Sequence, residues 1–198
     1  MIRSFAPAGV VCALAGCCFS HAQDLQTYQP LTLGEQYRFT LNKTVSPGAL
    51  GLVLFKSLFD QMRDQPHQWG ANADSFTVRA ASHFGRSLLR QNIAFGIRAA
   101  DGEDPRYFRS GQGGKWTRTR YALAHTFSVH DARGGWMPAY SLFVSSYATP
   151  FLANEWRPDR RTVPCELRAG TMSIGIQALS NLMQEFGPDI KNKIRHPR

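Results

Sequence analysis

Helix-start signals and helix-breaking residues divide this chain into segments of helical length. Thr32 and Glu35 have the spacing of a capping box, in which each side chain binds the other residue's free backbone N–H. Ser46 followed by Pro47 combines a favoured N-cap with a favoured first helical residue. No segment alternates apolar and polar residues with a period of two. The chain is therefore predicted to be all-α, a single compact bundle of about five or six helices.

The predicted helices are separated by Pro, Gly and Asp residues. They cover 33–44, 47–65, 75–100, 115–129, part of 134–154, and 164–186. The stretch 134–154 has no charged residue, but it contains prolines, tyrosines and hydroxyl side chains. It is therefore predicted to be a central helix covered by its neighbours, rather than a membrane span. Gly187-Pro188 is predicted to end the last helix.

The helix predicted over 75–100 has two different faces. At about 100° per residue, a narrow basic stripe lies roughly opposite an apolar one. The basic stripe consists of Arg79, His83, Arg86 and Arg90. A basic face can contact anionic headgroups, so these four residues are the predicted surface-binding site. The alternative is an ordinary solvated face that pairs with acidic neighbours.

The first twenty-two residues have the layout of a secretory signal. Arg3 precedes an apolar run from Phe5 to Phe19, and Ser20-His21-Ala22 offers a small-x-small cleavage site. The run is too short to be a stable membrane span. Residues 1–22 are therefore predicted to be removed, and export to the periplasm or an envelope membrane is expected.

A second interpretation of the same segment is a lipoprotein signal. Leu14-Ala15-Gly16-Cys17 matches a lipobox, which predicts cleavage before Cys17 and a lipid on its thiol. The two cleavage sites remain alternatives. In either case residues 23–31 are predicted to be a linker, and 32–198 a helical domain with a basic C-terminal tail.

Charge and cysteine content limit the expected partners. The full chain carries 23 Lys and Arg against 14 Asp and Glu, a net charge of +9. A cationic exported protein is expected to meet anionic lipid or cell-wall polymer rather than nucleic acid. After cleavage at Ala22 only Cys165 remains, whereas cleavage before Cys17 leaves Cys18 as a second free thiol. Whether Cys165 is paired stays open, but the chain is not a disulfide scaffold.

Catalytic signals in the sequence are weak. Glu103, Asp104, His125 and Glu155 are candidates for an acid–base or two-carboxylate mechanism, but nothing in the sequence fixes their distances. His125 and His130 would point about 140° apart on a helix. No metal motif occurs and no cofactor is predicted.

Asp104-Pro105-Arg106 also has a structural interpretation. In this interpretation the Asp caps a turn, the Pro stiffens it, and the Arg ties it with an ion pair. The residues favour this role over catalysis.

Three motifs resemble a family of uncharacterised exported bacterial proteins. They are Gly102–Phe108 (GEDPRYF), Trp156–Asp159 (WRPD) and Glu185–Ile190 (EFGPDI). The resemblance covers about 48–194, although the family usually has Trp where Gly187 stands. It implies one exported helical domain and no known activity.

These observations favour a non-enzymatic exported cell-envelope protein that associates with anionic membrane or wall surfaces. One alternative is an envelope hydrolase that acts on lipid phosphates or glycans. A second alternative is a small helical integral membrane protein.

Overall fold

A computed structural model describes residues 22–24, 29–111 and 113–195. Residues 1–21, with Cys17, lie outside the described residues, and so do residues 25–28 of the predicted linker. The all-α prediction is confirmed for the described residues, which are 74% helical and form six α-helices. The helices are α1 (Leu33–Thr44), α2 (Pro47–Met62), α3 (Ala73–Asp101), α4 (Lys115–Phe127), α5 (Tyr140–Ala153) and α6 (Val163–Arg195).

The helix starts follow the local sequence. Thr32 and Glu35 form the predicted capping box at α1, with the Thr32 N–H donating to Glu35 Oε2 at 2.9 Å. The Ser46 hydroxyl accepts from the Ala49 N–H at the start of α2, with Pro47 as the first helical residue. These two predictions are confirmed.

Four short strands were not predicted from the sequence. Strands β1 (Ala22–Asp24) and β2 (Tyr107–Arg109) pair in parallel, and β3 (Ser128–His130) and β4 (Trp136–Pro138) pair antiparallel. Each strand has three residues, which is too short for a period-two pattern to be visible. Strand β1 also falls partly inside the segment 23–31 that was predicted to be a linker.

Helix α6 does not end at Gly187-Pro188 as predicted, and it continues to Arg195. Proline interrupts a helix because it lacks an N–H and crowds the preceding turn. Here Arg118 of α4 binds Glu185 before the proline and Asp189 after it. These contacts hold both sides of Pro188 and explain why the helix persists.

Helix α5 occupies the centre of the helical packing, between α3 and α6. Helices α1 and α2 pack against α3, and α4 packs against α6. The side of α5 that faces its neighbours carries small polar residues, whereas Val144, Phe151 and Leu152 are exposed. The predicted central helix is therefore covered on its polar side and left open on its apolar side.

The buried residues of the described chain are mainly polar or charged. The buried apolar residues are Tyr107, Phe108 and four alanines, namely Ala94, Ala122, Ala139 and Ala153. By contrast, Arg79, Glu166 and Glu185 rank among the largest side chains that are fully buried. Hydrogen bonds and ion pairs between helices therefore replace much of the usual apolar core.

Helix α2 clearly shows this inverted arrangement, in which polar side chains are buried and apolar side chains are exposed. Its Ser57 side chain is fully buried and donates to the Val53 carbonyl at 2.7 Å. Its apolar stripe of Leu50, Leu54, Leu58 and Met62, with Phe55 and Phe59 beside it, is exposed. The same arrangement occurs in α1, where Gln36, Thr40 and Thr44 are buried while Leu33, Tyr37 and Leu41 are exposed.

A glycine permits the close approach of α5 and α6. A Cβ placed on Gly170 would lie 2.8 Å from Tyr147 Cε1 and 3.1 Å from the Ser146 carbonyl oxygen. Any side chain at this position would therefore force the two helices apart or displace the Tyr147 ring.

Replacing Gly170 with Ala is expected to lower the free energy of unfolding by about 1–3 kcal/mol, the usual cost of overpacking. Urea denaturation of both proteins measures the effect. Gly175→Ala in the same helix is the matched control, because no atom lies within 4 Å of its Cβ. That variant should be neutral or stabilised by up to about 1 kcal/mol. Equal effects of the two substitutions would contradict the close approach at Gly170.

Candidate functional site

The Arg79 side chain is fully buried and does not form part of a surface. Its guanidinium donates to the backbone carbonyls of Gln65, Pro66 and Gly70, and to the Gln61 side chain. An ion pair with Asp64 at 3.3 Å completes the set. A buried guanidinium needs such partners, because an unpaired charge in the interior is strongly unfavourable. Arg79 therefore fastens the segment after α2 to α3.

The rest of the predicted basic stripe is also turned inward. His83 Nε2 lies 2.9 Å from Asp60, and Arg90 donates to the Ser146 hydroxyl at 3.2 Å. Arg86 lies 3.8 Å from Glu166, whose side chain is only 1% exposed. The prediction of a surface-binding face made of Arg79, His83, Arg86 and Arg90 is therefore wrong for Arg79, which is fully buried. His83, Arg86 and Arg90 are partly exposed, and their binding to an outside surface stays a prediction.

The surface of the helices carries large apolar side chains instead. Exposed examples occur in all six described helices, so they do not form one isolated patch. They include Tyr37 in α1, Leu54, Leu58 and Met62 in α2, Val78 in α3, Trp116 and Phe127 in α4, Val144 and Leu152 in α5, and Leu167, Met172 and Leu179 in α6. We call this set the apolar outer surface.

The Asp104-Pro105-Arg106 segment forms a local ion pair. Asp104 Oδ1 accepts from the Arg106 backbone N–H at 2.9 Å, and its carboxylate pairs with the guanidinium at 2.6 Å. The Asp104 N–H donates to the His130 carbonyl at 2.9 Å. Asp104 thus has the bonds that the structural interpretation predicts for it.

Two of the three family-like motifs meet in space. Tyr107 of the first donates its hydroxyl to Glu185 of the last at 3.0 Å. The Ser110 and Gly111 N–H groups and the Arg118 guanidinium also donate to the Glu185 carboxylate. These donors hold the pKa of Glu185 below its ordinary value, despite the opposing effect of burial. Glu185 is therefore a structural anchor that ties the 107–118 segment to α6.

Glu103 caps the start of α5. Its carboxylate accepts from the Ser141 N–H at 3.0 Å and from the Ser141 hydroxyl at 2.6 Å. Burial raises the pKa of Glu103, and the Ser141 bonds and Arg98 oppose that shift. A carboxylate at a helix N-terminus satisfies free backbone donors, which gives Glu103 a structural role.

Glu155 lies at the opposite end of α5 from Glu103. It lies two residues beyond the end of that helix and pairs with Arg160 at 3.0 Å on the surface. Fourteen residues of α5 separate the two carboxylates, or about 20 Å at 1.5 Å per residue. Glycosidases place their two carboxyl groups within about 10 Å of each other. The structure therefore does not bring Glu103 and Glu155 together as a catalytic pair.

His125 is buried in a cluster of rings from α4 and the two short sheets, in which Trp136 is exposed. Its ring centroid lies 4.9 Å from that of Tyr107, 5.3 Å from Trp136 and 5.4 Å from His130. His130 is in β3 rather than on the helix, so the expected angle of 140° does not apply. Burial is the main cause that lowers the pKa of His125 to about 4, so the ring is neutral near pH 7.

The remaining candidate residues have plain surroundings. Cys165 is a free and exposed thiol near the start of α6. Within the described ranges, no group of three or more His, Cys, Asp or Glu side chains could hold a metal ion.

Sequence analysis missed Glu166 and Glu185 as buried residues. Both lie in α6, on the same side of the helix as the buried residues Gly170 and Asn181. The spacing of 166, 170, 181 and 185 marks one helical face built from polar and small residues. That spacing is visible in the sequence.

Comparisons with known proteins add no assignment. No family model matches the chain, and no curated protein or solved structure matches it at a significant level. The geometry of the chain itself therefore carries the functional argument.

The neutral state of His125 makes stability depend on pH. Its pKa is about 4 when folded and about 6.5 in an unfolded chain, so the unfolded state binds more protons between those values. Stability is therefore full above about pH 6.5 and falls as the pH is lowered towards about 4. Between about pH 7.5 and pH 5 the loss from this group should be about 2 kcal/mol, measured by urea denaturation.

His125→Gln should reduce this pH dependence. His67→Gln is the control, because the His67 side chain is 89% exposed. It should leave the dependence unchanged. An identical fall in stability for the wild type and His125→Gln would show that His125 is not the group responsible.

Proposed function

We propose that this is a non-enzymatic cell-envelope protein that binds lipid bilayers through its apolar outer surface. The observation that supports this proposal is the inverted distribution of side chains. Arginines and glutamates are buried between helices, whereas leucines and phenylalanines are exposed. Helices of soluble proteins usually bury their apolar stripe and expose their polar one, which is the opposite of this arrangement. A hydrocarbon environment makes this arrangement favourable, since each 100 Å² removed from water contributes about 2.5 kcal/mol.

Lipid suits this surface better than one protein partner does. A standard protein interface covers about 800 Å² on each side, in one continuous patch. The exposed apolar side chains here occur in every described helix. Lipid chains adapt to such a dispersed surface, whereas one partner would cover only part of it.

The packing between helices also favours a lipid environment. Helices in membranes approach closely through small residues and use hydroxyl groups as hydrogen-bond partners. Gly170 and Ser146 provide a close contact between α5 and α6, and Ser146 accepts a bond from Arg90. Ionisable groups in such an environment face the interior and pair with one another. Arg118 and Glu185 do so at 2.8 Å.

A shallow position at the bilayer surface is the form of association that we propose. In the described part of the chain, no helix has both the length and the apolar character needed to cross a membrane. The C-terminal end of α6 exposes Lys191, Lys193 and Arg195. Each cation near an anionic leaflet contributes about 1 kcal/mol, which supports a preference for anionic lipids.

Vesicle sedimentation tests the proposal. Purified protein is mixed with neutral phosphatidylcholine vesicles and with vesicles containing phosphatidylglycerol. We expect binding to both types, with tighter binding to the anionic one, because apolar contact supplies most of the affinity. Binding to the neutral vesicles should persist in high salt, because salt screens charge but does not weaken apolar contact. Absence of binding to both vesicle types would refute the proposal.

Matched variants locate the contact surface. The double substitution Leu54→Asp and Leu58→Asp places charges on the exposed side of α2 and should reduce vesicle binding at least about tenfold. Asn42→Asp adds a charge at an exposed polar site in α1 and should change binding little. Equal losses in both variants would exclude the α2 side chains as the contact.

Carbonate extraction separates this proposal from the integral-membrane alternative. A protein held at the bilayer surface should be released from cell membranes by alkaline carbonate. Retention in the pellet, by an unlipidated protein, would favour the integral form instead. A lipid on Cys17 would also cause retention, so the Cys17→Ser variant serves as the control.

A further inference from the structure

Five rings from α4 and the short strands form what we call the ring cluster. They are Tyr107, Tyr121, His125, His130 and Trp136. The ring centroids of His125 and His130 are 5.4 Å apart, and both side chains are buried. The Trp136 ring lies 4.3 Å from that of His130 and 5.3 Å from that of His125, and Trp136 is 53% exposed. Two imidazoles are therefore buried in contact with one exposed indole.

The closed ring cluster has no acceptor for a second proton on His125. The Nε2 atom of His125 is buried and has no hydrogen-bond partner among the described residues. An imidazolium carries an N–H on both ring nitrogens, so it would bury a charge together with an unpaired Nε2–H. A buried charge without a partner is strongly unfavourable. The low pKa of His125, which burial causes, agrees with this geometry.

The carboxylates that face His125 are already paired with other groups. Asp104 accepts from the Arg106 guanidinium at 2.6 Å, and Glu185 accepts from Tyr107 at 3.0 Å and from Arg118 at 2.8 Å. Neither carboxylate can turn to an imidazolium without giving up these bonds. The titratable groups that face His125 are Tyr121 of α4, Tyr107 of β2, His130 of β3, Glu185 of α6 and Asp104 before β2.

The hairpin of β3 and β4, residues 128–138, is the part of the fold that can move off His125. It carries His130 and Trp136, and its ladder has three residue pairs. Its tip, residues 132–136, is exposed. The Asp104 N–H holds its edge by donating to the His130 carbonyl at 2.9 Å. A short hairpin with an exposed tip opens at a lower free energy than packed helices do.

We infer that acid opens the ring cluster by moving this hairpin off His125, and that the opened form binds a bilayer more tightly. Protonated His125 then reaches water, and the buried side of the Trp136 ring becomes available to lipid. Exposed Phe127 and Tyr140 flank the hairpin, so the new contact extends the apolar outer surface. The inference rests on the proposed function for its bilayer, but the opening is measurable without lipid.

Proton uptake favours the opened form at low pH. The pKa of His125 is about 4 in the closed cluster and about 6.5 in water. The opened form therefore binds more protons than the closed form between these values, and its share rises as the pH falls. From about pH 7.5 to pH 5, the ratio of opened to closed molecules should rise by up to about thirtyfold.

Hydrogen exchange of the lipid-free protein, followed by NMR, tests the opening. We expect the protection of the Asp104 amide to fall about ten- to thirtyfold from pH 7.5 to pH 5, after correction for intrinsic exchange. This protection should not respond to dilute urea, because a local opening exposes little surface. Protection that is unchanged by pH would overturn the inference. So would protection that matches the Ser146 amide of α5 in size and urea dependence, since that result means global unfolding.

Binding to neutral phosphatidylcholine vesicles at the same two pH values tests the coupling to lipid. Neutral lipid is used because acid also raises the net charge of the protein, which by itself favours an anionic surface. We expect the Kd to be about five- to thirtyfold lower at pH 5. An equal Kd at both pH values would overturn the inference.

Variants assign both effects to His125. His125→Phe and His125→Gln stay uncharged at either pH, so each should abolish the pH dependence of Asp104 protection and of vesicle binding. The Phe variant keeps a ring in the cluster, so it provides the test if the Gln variant does not fold. His67→Gln is the control, because His67 is exposed, and it should behave as the wild type does. Full pH dependence in the His125 variants would overturn the inference.

The two measurements separate this inference from the proposed function. Loss of Asp104 protection at pH 5 without vesicle binding at either pH would support the acid opening and refute the bilayer association. Vesicle binding that is equal at both pH values, with unchanged protection, would overturn the opening and support the bilayer association.

Discussion

Charge pairing between helices is the constraint on which this structure depends. A buried guanidinium or carboxylate is stabilised when its partners hold it in good geometry, because removing a partner leaves an unpaired charge. The Glu166 carboxylate is an exception, because it has Arg86 at 3.8 Å and no hydrogen bond to a described residue. Arg79 with the segment after α2, Arg118 with Glu185, and Glu103 with Ser141 each meet this condition. Together they connect α2 to α3, α4 to α6, and α3 to α5. The helix arrangement is thus set by polar contacts, and the apolar side chains are left to face outward.

The sequence predicted helices well and their orientation poorly. Capping at Thr32 and Ser46 depends on residues within one turn, so these helix starts can be predicted directly from the local sequence. The buried side of each helix depends on the solvent outside, which the sequence does not state. In water the basic stripe of α3 is expected to face outward, so Arg79 was predicted to lie at the surface. Under the opposite assumption, the same periodicity predicts the observed faces.

The candidate catalytic residues illustrate a second limit of sequence reasoning. Glu103 and Asp104 were correctly placed in one segment, but their partners Ser141 and His130 are distant in sequence. No local sequence pattern shows that the full length of α5 separates Glu103 from Glu155. That distance is too long for Glu103 and Glu155 to act together in a two-carboxylate mechanism. The motifs that resemble an exported family are then explained by structural bonds, with Tyr107 and Glu185 as the clearest example.

The bonds of Arg79 have a consequence for how this chain can change over evolutionary time. Three of its acceptors are backbone carbonyls, which every amino acid provides. The connection between α2 and α3 is thus recognised mainly by its backbone path, with Gln61 and Asp64 as the side-chain partners of Arg79. An exposed residue such as Gln68 can change in identity while the path is kept. The arginine has no such freedom, because no other side chain offers five N–H donors in a planar fork.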